Sequence, residues 1–190
     1  MEPHQYLRRR VAAASLALAV LALSCAAVAQ PRPTRAELRR GEYLVKYGGC
    51  NDCHSPKNMT PQGPVPDPAR LLSGYTGNGQ LPALPAGALG PNAWGAVTTN
   101  DLTAWVGPWG TSFGANLTPD PETGLGKWTV DDFIRTMRTG KHLGTGRPIL
   151  PPMPWYDVAV LTDADLRAVF AYLRTLKPIR NPVPAPLPPK

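Results

Sequence analysis

Metal-binding side chains are scarce in this 190-residue sequence, which holds three cysteines, three histidines and four methionines. A structural zinc site wants two ligand pairs, and here Cys25 stands alone while His4 and His142 are isolated from each other. Charge is thin at 17% of residues and forms no basic block, which excludes the usual footprint of nucleic-acid binding. No stretch reaches the roughly 20 apolar residues of a comfortable membrane span. Nor does any nucleophile, base and orienting group stand out as a catalytic set, so the chain is not read as an enzyme by itself. Abundant instead are proline and glycine, 24 and 18 residues, which favour loops over long regular elements.

Against that background, Cys50-Asn51-Asp52-Cys53-His54 stands out as a C-x-x-C-H run. Two thiols and an imidazole at this spacing read as covalent attachment of one haem c. Each sulfur forms a thioether to a vinyl group, and the histidine after the second cysteine is held under the iron as the proximal ligand. Two other readings of the thiols remain. A redox-active dithiol wants a β-α-β context, and zinc wants a second ligand pair; haem attachment is favoured over both.

The N-terminus carries Arg8-Arg9-Arg10, a largely apolar run from Val11 to Cys25, and Ala27-Val28-Ala29-Gln30. That order predicts a secretory signal peptide over residues 1–29 and a periplasmic protein starting at Gln30. Haem attachment requires an unfolded chain during export, which favours the general secretory route over a twin-arginine one. Two alternatives stay open, both attaching the protein to a membrane: lipidation of Cys25 within Leu23-Ser24-Cys25-Ala26, or an uncleaved N-terminus. Removing residues 1–29 reduces twenty Lys and Arg against thirteen Asp and Glu to seventeen against twelve. So modest and dispersed a surplus suits docking on an acidic patch of a protein partner.

About 160 remaining residues make one domain. Thr34 to Gly48 predicts a helix capped by Thr34 and Glu37, with Leu38, Leu44 and Val45 on one face. Gly41 inside it calls for a packing reason such as close approach of another helix. From Ser55 to Gly126 no apolar period is sustained, and the segment reads as a long irregular Gly/Pro/Trp-rich insertion. Trp94, Trp105 and Trp109 are expected to pack inward; Asn116, Asp120 and Glu122 hint at a calcium loop, but their spacing fits no EF-hand and a turn formed by Thr118-Pro119-Asp120-Pro121 is favoured. A short helix is expected from Thr129 to Gly140, and a final one from Thr162 with Leu166, Val169, Phe170 and Leu173 as its buried stripe. Six prolines between Pro178 and Lys190 predict an extended tail. The expectation is a mostly α fold, with residues 30–177 as the domain and 178–190 as a proline-rich tail.

A low-spin electron carrier needs a second axial ligand opposite His54. Met1 and His4 leave with the signal, Met59 is five residues from His54 and too near to reach the opposite face, and Met137 belongs to a helix stripe. Met153, in Ile149-Leu150-Pro151-Pro152-Met153-Pro154-Trp155, lies in a loop stiffened by prolines. It is favoured over His142, which sits in a glycine-rich loop expected to be exposed. Thioether plus imidazole favours ferrous iron relative to two imidazoles.

A helix, then C-x-x-C-H, a late methionine loop and a C-terminal helix resemble the layout of a class I cytochrome c. Gly41-Glu42-Tyr43-Leu44-Val45, Asn116-Leu117-Thr118-Pro119-Asp120-Pro121-Glu122-Thr123-Gly124, Pro151-Pro152-Met153-Pro154 and Ala171-Tyr172-Leu173 resemble bacterial cytochromes c related to the haem subunits of alcohol, aldehyde and gluconate dehydrogenases. The resemblance covers nearly all of residues 36 to 183. It implies a single-haem class I cytochrome c fold, His54 and Met153 as axial ligands, and contact of Gly41 with the C-terminal helix near Tyr172. The expected function is a periplasmic monohaem carrier in a respiratory chain. It would take single electrons from a dehydrogenase and pass them to an oxidase or another cytochrome. One alternative is an obligate haem subunit of an oxidoreductase complex; another, requiring Met153 not to bind, is a five-coordinate haem enzyme or gas sensor.

Overall fold

The computed structural model describes residues 32–189, so the expectations for the export signal and for Cys25 lie outside the described residues. Helices α1 (Arg35–Tyr47), α2 (Cys50–His54), α3 (Val130–Thr139), α4 (Trp155–Val158) and α5 (Asp163–Leu173) are joined by five short strands. These are β1 (Lys57–Thr60), β2 (Gly63–Pro66), β3 (Val97–Thr98), β4 (Ala104–Gly107) and β5 (Gly110–Phe113).

The helices start where their capping residues stand. Thr34 caps α1, accepting the Glu37 N–H while the Glu37 carboxylate accepts the Thr34 N–H at 2.7 Å; Thr129 and Asp132 repeat this box at α3, and Thr162 accepts from Asp165 N–H at α5. Each box satisfies amides that no helical carbonyl can reach. Among the described residues, α1 and α5 form the most extensive helix pairing. Gly41 makes it possible: a Cβ there would fall 1.9 Å from the Ala168 carbonyl oxygen and 2.8 Å from Tyr172 Cβ. The stripe of Leu166, Val169, Phe170 and Leu173 is buried as expected, and joins Val45, Leu72, Leu125, Phe133 and Met137 in one core.

The expectation of a mostly α chain with an irregular insertion needs correction, because the described residues mix helices with two small antiparallel sheets. One is the β1–β2 hairpin, pairing Lys57 with Pro66 and Thr60 with Gly63; the other is β3–β4–β5. Strands of two to four residues are too short to display an alternating apolar pattern, which is why the insertion reads as structureless. Inward packing of all three tryptophans is corrected too. Trp105 and Trp109 are half-buried, with their indole N–H groups donated to Leu102 O and Ser112 Oγ, but Trp94 is 72% exposed.

Residues 178–189 are extended and fastened down. Asn181 Nδ2 donates to the Ser73 and Tyr75 carbonyls, Asn116 Nδ2 donates to Ile179 O, and Leu187 exchanges both backbone hydrogen bonds with Thr111 on β5. The tail thereby braces the insertion from outside. Asp120 makes the expected turn, its Oδ1 accepting from Glu122 N–H, Thr123 N–H and the Thr123 hydroxyl. No described helix is long and apolar enough to cross a membrane.

Candidate haem-attachment site

Two glycines turn the chain from α1 into the C-x-x-C-H segment. Gly48 donates its N–H to Leu44 O, and Gly49 sits at φ +64°, in the left-handed region where glycine avoids a Cβ clash. The five residues Cys50 to His54 then form a helix of their own, which the sequence reading, ending the first helix at Gly48, did not expect. In one helical turn, positions i, i+3 and i+4 share a face, so Cys50, Cys53 and His54 project on the same side of α2.

The end of so short a helix leaves its last carbonyls short of helical partners, and they are met from outside. Gly74 N–H donates to His54 O at 2.7 Å, Lys57 Nζ donates to Asn51 O and Asp52 O at 2.9 Å each, and Gly114 packs its bare Cα against Cys53 O, where a Cβ would come within 2.0 Å. Ser55, fully buried, donates to Asn51 Oδ1 and accepts the Leu72 N–H at 2.7 Å. Leu72 takes φ +58°, a conformation that costs a leucine about 1–2 kcal/mol, and is held in it by that bond and by Leu117 N–H donating to its carbonyl.

The decisive contact is at His54. Its Nδ1 lies 2.8 Å from the Ala115 carbonyl oxygen; a carbonyl can only accept, so Nδ1 carries the proton and Nε2 keeps a free lone pair. Burial holds the imidazole pKa below its ordinary 6.5, keeping the neutral, ligating form at physiological pH. A second bond of this kind is what orients a metal-bound histidine.

The thiols behave differently from a reactive pair. Burial pushes the Cys50 thiol up to about 11, and burial followed by the Asp52 charge raises that of Cys53. A redox dithiol needs the opposite shift. Among the described residues no three His, Cys, Asp or Glu side chains converge as a metal-binding group. Cys50 instead borders the apolar core, and so does Met153. The thiol and the thioether thus both adjoin apolar surface, the environment that a largely apolar macrocycle requires.

Met153 is half-buried and its loop is tethered. Ser112 donates its hydroxyl to Pro151 O at 2.5 Å, Met153 N–H donates to Leu150 O, and Trp155 N–H donates to Met153 O at 2.9 Å. The other three candidates differ in their surroundings. Met137 is buried in the core, Met59 is 64% exposed on the β1–β2 hairpin, and His142 is exposed with its ring edge-on to Trp128. Sequence reasoning did not find Ala115, Ser112 or Lys57. Two of these act 39 and 61 residues from the group they hold, and a backbone carbonyl leaves no signature in a sequence.

No family model matches the chain. Curated relatives do. The chain is 32% identical to the gluconate 2-dehydrogenase cytochrome c subunit of Pantoea cypripedii over 157 residues, 83% of this chain and 27% of that one. It is 28% identical to a dihaem c-type cytochrome of Cereibacter sphaeroides over 181 residues, 90% of this chain and 49% of that one. The chain is related to the cytochrome c subunits of dehydrogenases. A shorter match, 42% identical over 78 residues, is to a nicotinate dehydrogenase subunit of Pseudomonas putida, covering 41% of this chain and 6% of that protein. This cytochrome c relative thus spans about a quarter or less of the two dehydrogenase subunits and about half of the dihaem protein. The kinship agrees with the C-x-x-C-H helix and the Nδ1–H of His54 donated to Ala115 O in pointing to haem c.

Proposed function

We propose that the protein is a periplasmic monohaem c-type cytochrome that moves single electrons between a dehydrogenase and a respiratory acceptor such as an oxidase or another cytochrome. Residues 1–29 are its export signal, 30–177 its class I cytochrome c domain, and 178–190 its C-terminal tail. Cys50 and Cys53 would hold the haem through thioethers, and His54 and Met153 would be the two side chains donating to its iron. When bound, haem c supplies a one-electron ferric/ferrous couple. His54 presents Nε2 because Ala115 O fixes the proton on Nδ1. Met153 is offered from a loop pinned by Ser112, and a thioether donor there favours the ferrous state over what a second imidazole would give. With His54 and Met153 both donating to the iron, the residues would leave it no open position for a substrate, so the proposed role is electron transfer and not a reaction catalysed by this chain.

The observation that carries this reading is the Nδ1–H of His54 donated to Ala115 O from within the C-x-x-C-H helix. A peroxidase-type haem stain of a denaturing gel should label the wild-type band, and intact mass should exceed that of the processed polypeptide by one haem. Replacing both Cys50 and Cys53 by alanine should abolish the label. A labelled band in that variant refutes covalent attachment.

Kinship with dehydrogenase subunits favours a second reading, an obligate electron-transfer subunit of an oxidoreductase complex. Size-exclusion chromatography of native periplasmic and membrane fractions separates the two. A haem-stained band eluting near the mass of the chain fits the free carrier, and coelution with a dehydrogenase fits the subunit.

A further inference from the structure

Lys57 is the first residue of β1, and its ammonium meets four backbone carbonyls: Ser55 O at 2.5 Å, Asn51 O and Asp52 O at 2.9 Å, and Asp101 O at 3.2 Å. An ammonium has three protons to donate, so the site offers more acceptors than it can fill. Among the described residues no carboxylate oxygen bonds it, although the Asp101 and Asp52 charges are near enough to offset part of its burial. A solvated surface lysine has no reason to converge on main-chain oxygens in this way. Two of the four acceptors, Asn51 O and Asp52 O, are carbonyls of the last turn of α2, the negative end of the helix that carries His54.

Resting on the haem reading above, we propose that Lys57 is a positioning residue whose fixed positive charge locks the C-terminal end of α2 and raises the reduction potential of the site. Ferric iron carries one more positive charge than ferrous, so a cation held nearby disfavours the ferric state. Half-buried and tied to main chain, that charge is screened by salt less than an exposed lysine would be. The same clamp orients α2 for thioether formation.

The test compares Lys57→Met, Lys57→Gln and Lys57→Arg in the full chain, with wild type as reference. Spectroelectrochemical titration should give a lower potential for Met and Gln, read as a several-fold higher ferric-to-ferrous ratio at one applied potential, and a near wild-type value for Arg. A Gln variant titrating like Arg would mean that hydrogen bonding alone matters and would overturn the charge role, as would unchanged potentials throughout. Should the Met variant accumulate without haem, attachment is the readout: recovery by Arg but not Gln supports the proposal, and equal recovery by both overturns it. Wild type lacking covalent haem would refute the haem reading instead, so the two failures are distinguishable.

Discussion

Gly41→Ala sets two effects of opposite sign against each other. In the middle of an exposed helix, alanine stabilises relative to glycine by roughly 0.5–1 kcal/mol. Gly41 is buried, and the added Cβ would lie 1.9 Å from Ala168 O, where such contacts essentially never close below 3.0 Å, with Ala168 C at 2.6 Å and Tyr172 Cβ at 2.8 Å. The nearest blocking atoms belong to the backbone of α5, so no side chain can swing away. Helices α1 and α5 must part by about 1 Å, loosening a pairing that the Arg40–Asp165 ion pair also spans at 2.8 Å. Overpacking of a tight contact costs typically about 1–3 kcal/mol, and a helix shift adds lost apolar contact around Val45, Leu166 and Val169. We expect a net loss of about 1–3 kcal/mol. Denaturant melts of the holoprotein followed by far-UV circular dichroism measure it, with Tyr43→Ala, exposed on the same helix, as the control. A Gly41→Ala protein as stable as wild type, or more so, would show that the close approach of these helices is not what the glycine serves.

Phe170→Ala should cost about 3–5 kcal/mol in the same melts, since its ring is buried and lies 5.5 Å from that of Phe133; a loss under about 1 kcal/mol would remove the stripe from the core. Met153→Ala should let the reduced protein bind carbon monoxide readily and Met153→His should lower the potential, whereas Met59→Leu and Met137→Leu should leave potential and ligand binding near wild type. Ser112→Ala removes the hydroxyl bonded to Pro151 O, costing about 1 kcal/mol, and should speed cyanide binding by loosening the methionine loop. Burial would raise the Asp101 carboxyl, but hydrogen bonds from Thr99 and Thr103 and the Lys57 charge leave it below 3.8. A carboxyl depressed in the folded state contributes stability that is present above its unfolded pKa and lost as pH falls through the folded one. Asp101→Asn should therefore flatten the stability loss on acidification below about pH 4, and an unaltered acid limb would contradict this.

What could be read from the sequence follows the range over which each interaction acts. Thr34 with Glu37, Thr129 with Asp132 and Thr162 with Asp165 are three residues apart, so helix starts were legible to the residue, and C-x-x-C-H needs only five residues to declare its chemistry. The extended backbone of the tail was legible as well, because proline fixes it locally. Its docking was not, since Asn181 meets Ser73 and Tyr75 more than a hundred residues upstream. The strands escaped notice because four residues hold too little of a period-two pattern, and Trp94 was misjudged because a single large apolar side chain carries no information on which way it faces. The same logic explains the division within the candidate site. Groups that would bond the haem must be special residue types and announce themselves, while the groups that aim them are main-chain oxygens, a serine hydroxyl and a lysine whose types are ordinary. The orientation of the His54 ring and of the loop carrying Met153 is therefore held by Ala115 O and Ser112. Substitutions at Ser112 or Lys57 should shift potential and ligand exchange while leaving the attachment motif itself intact.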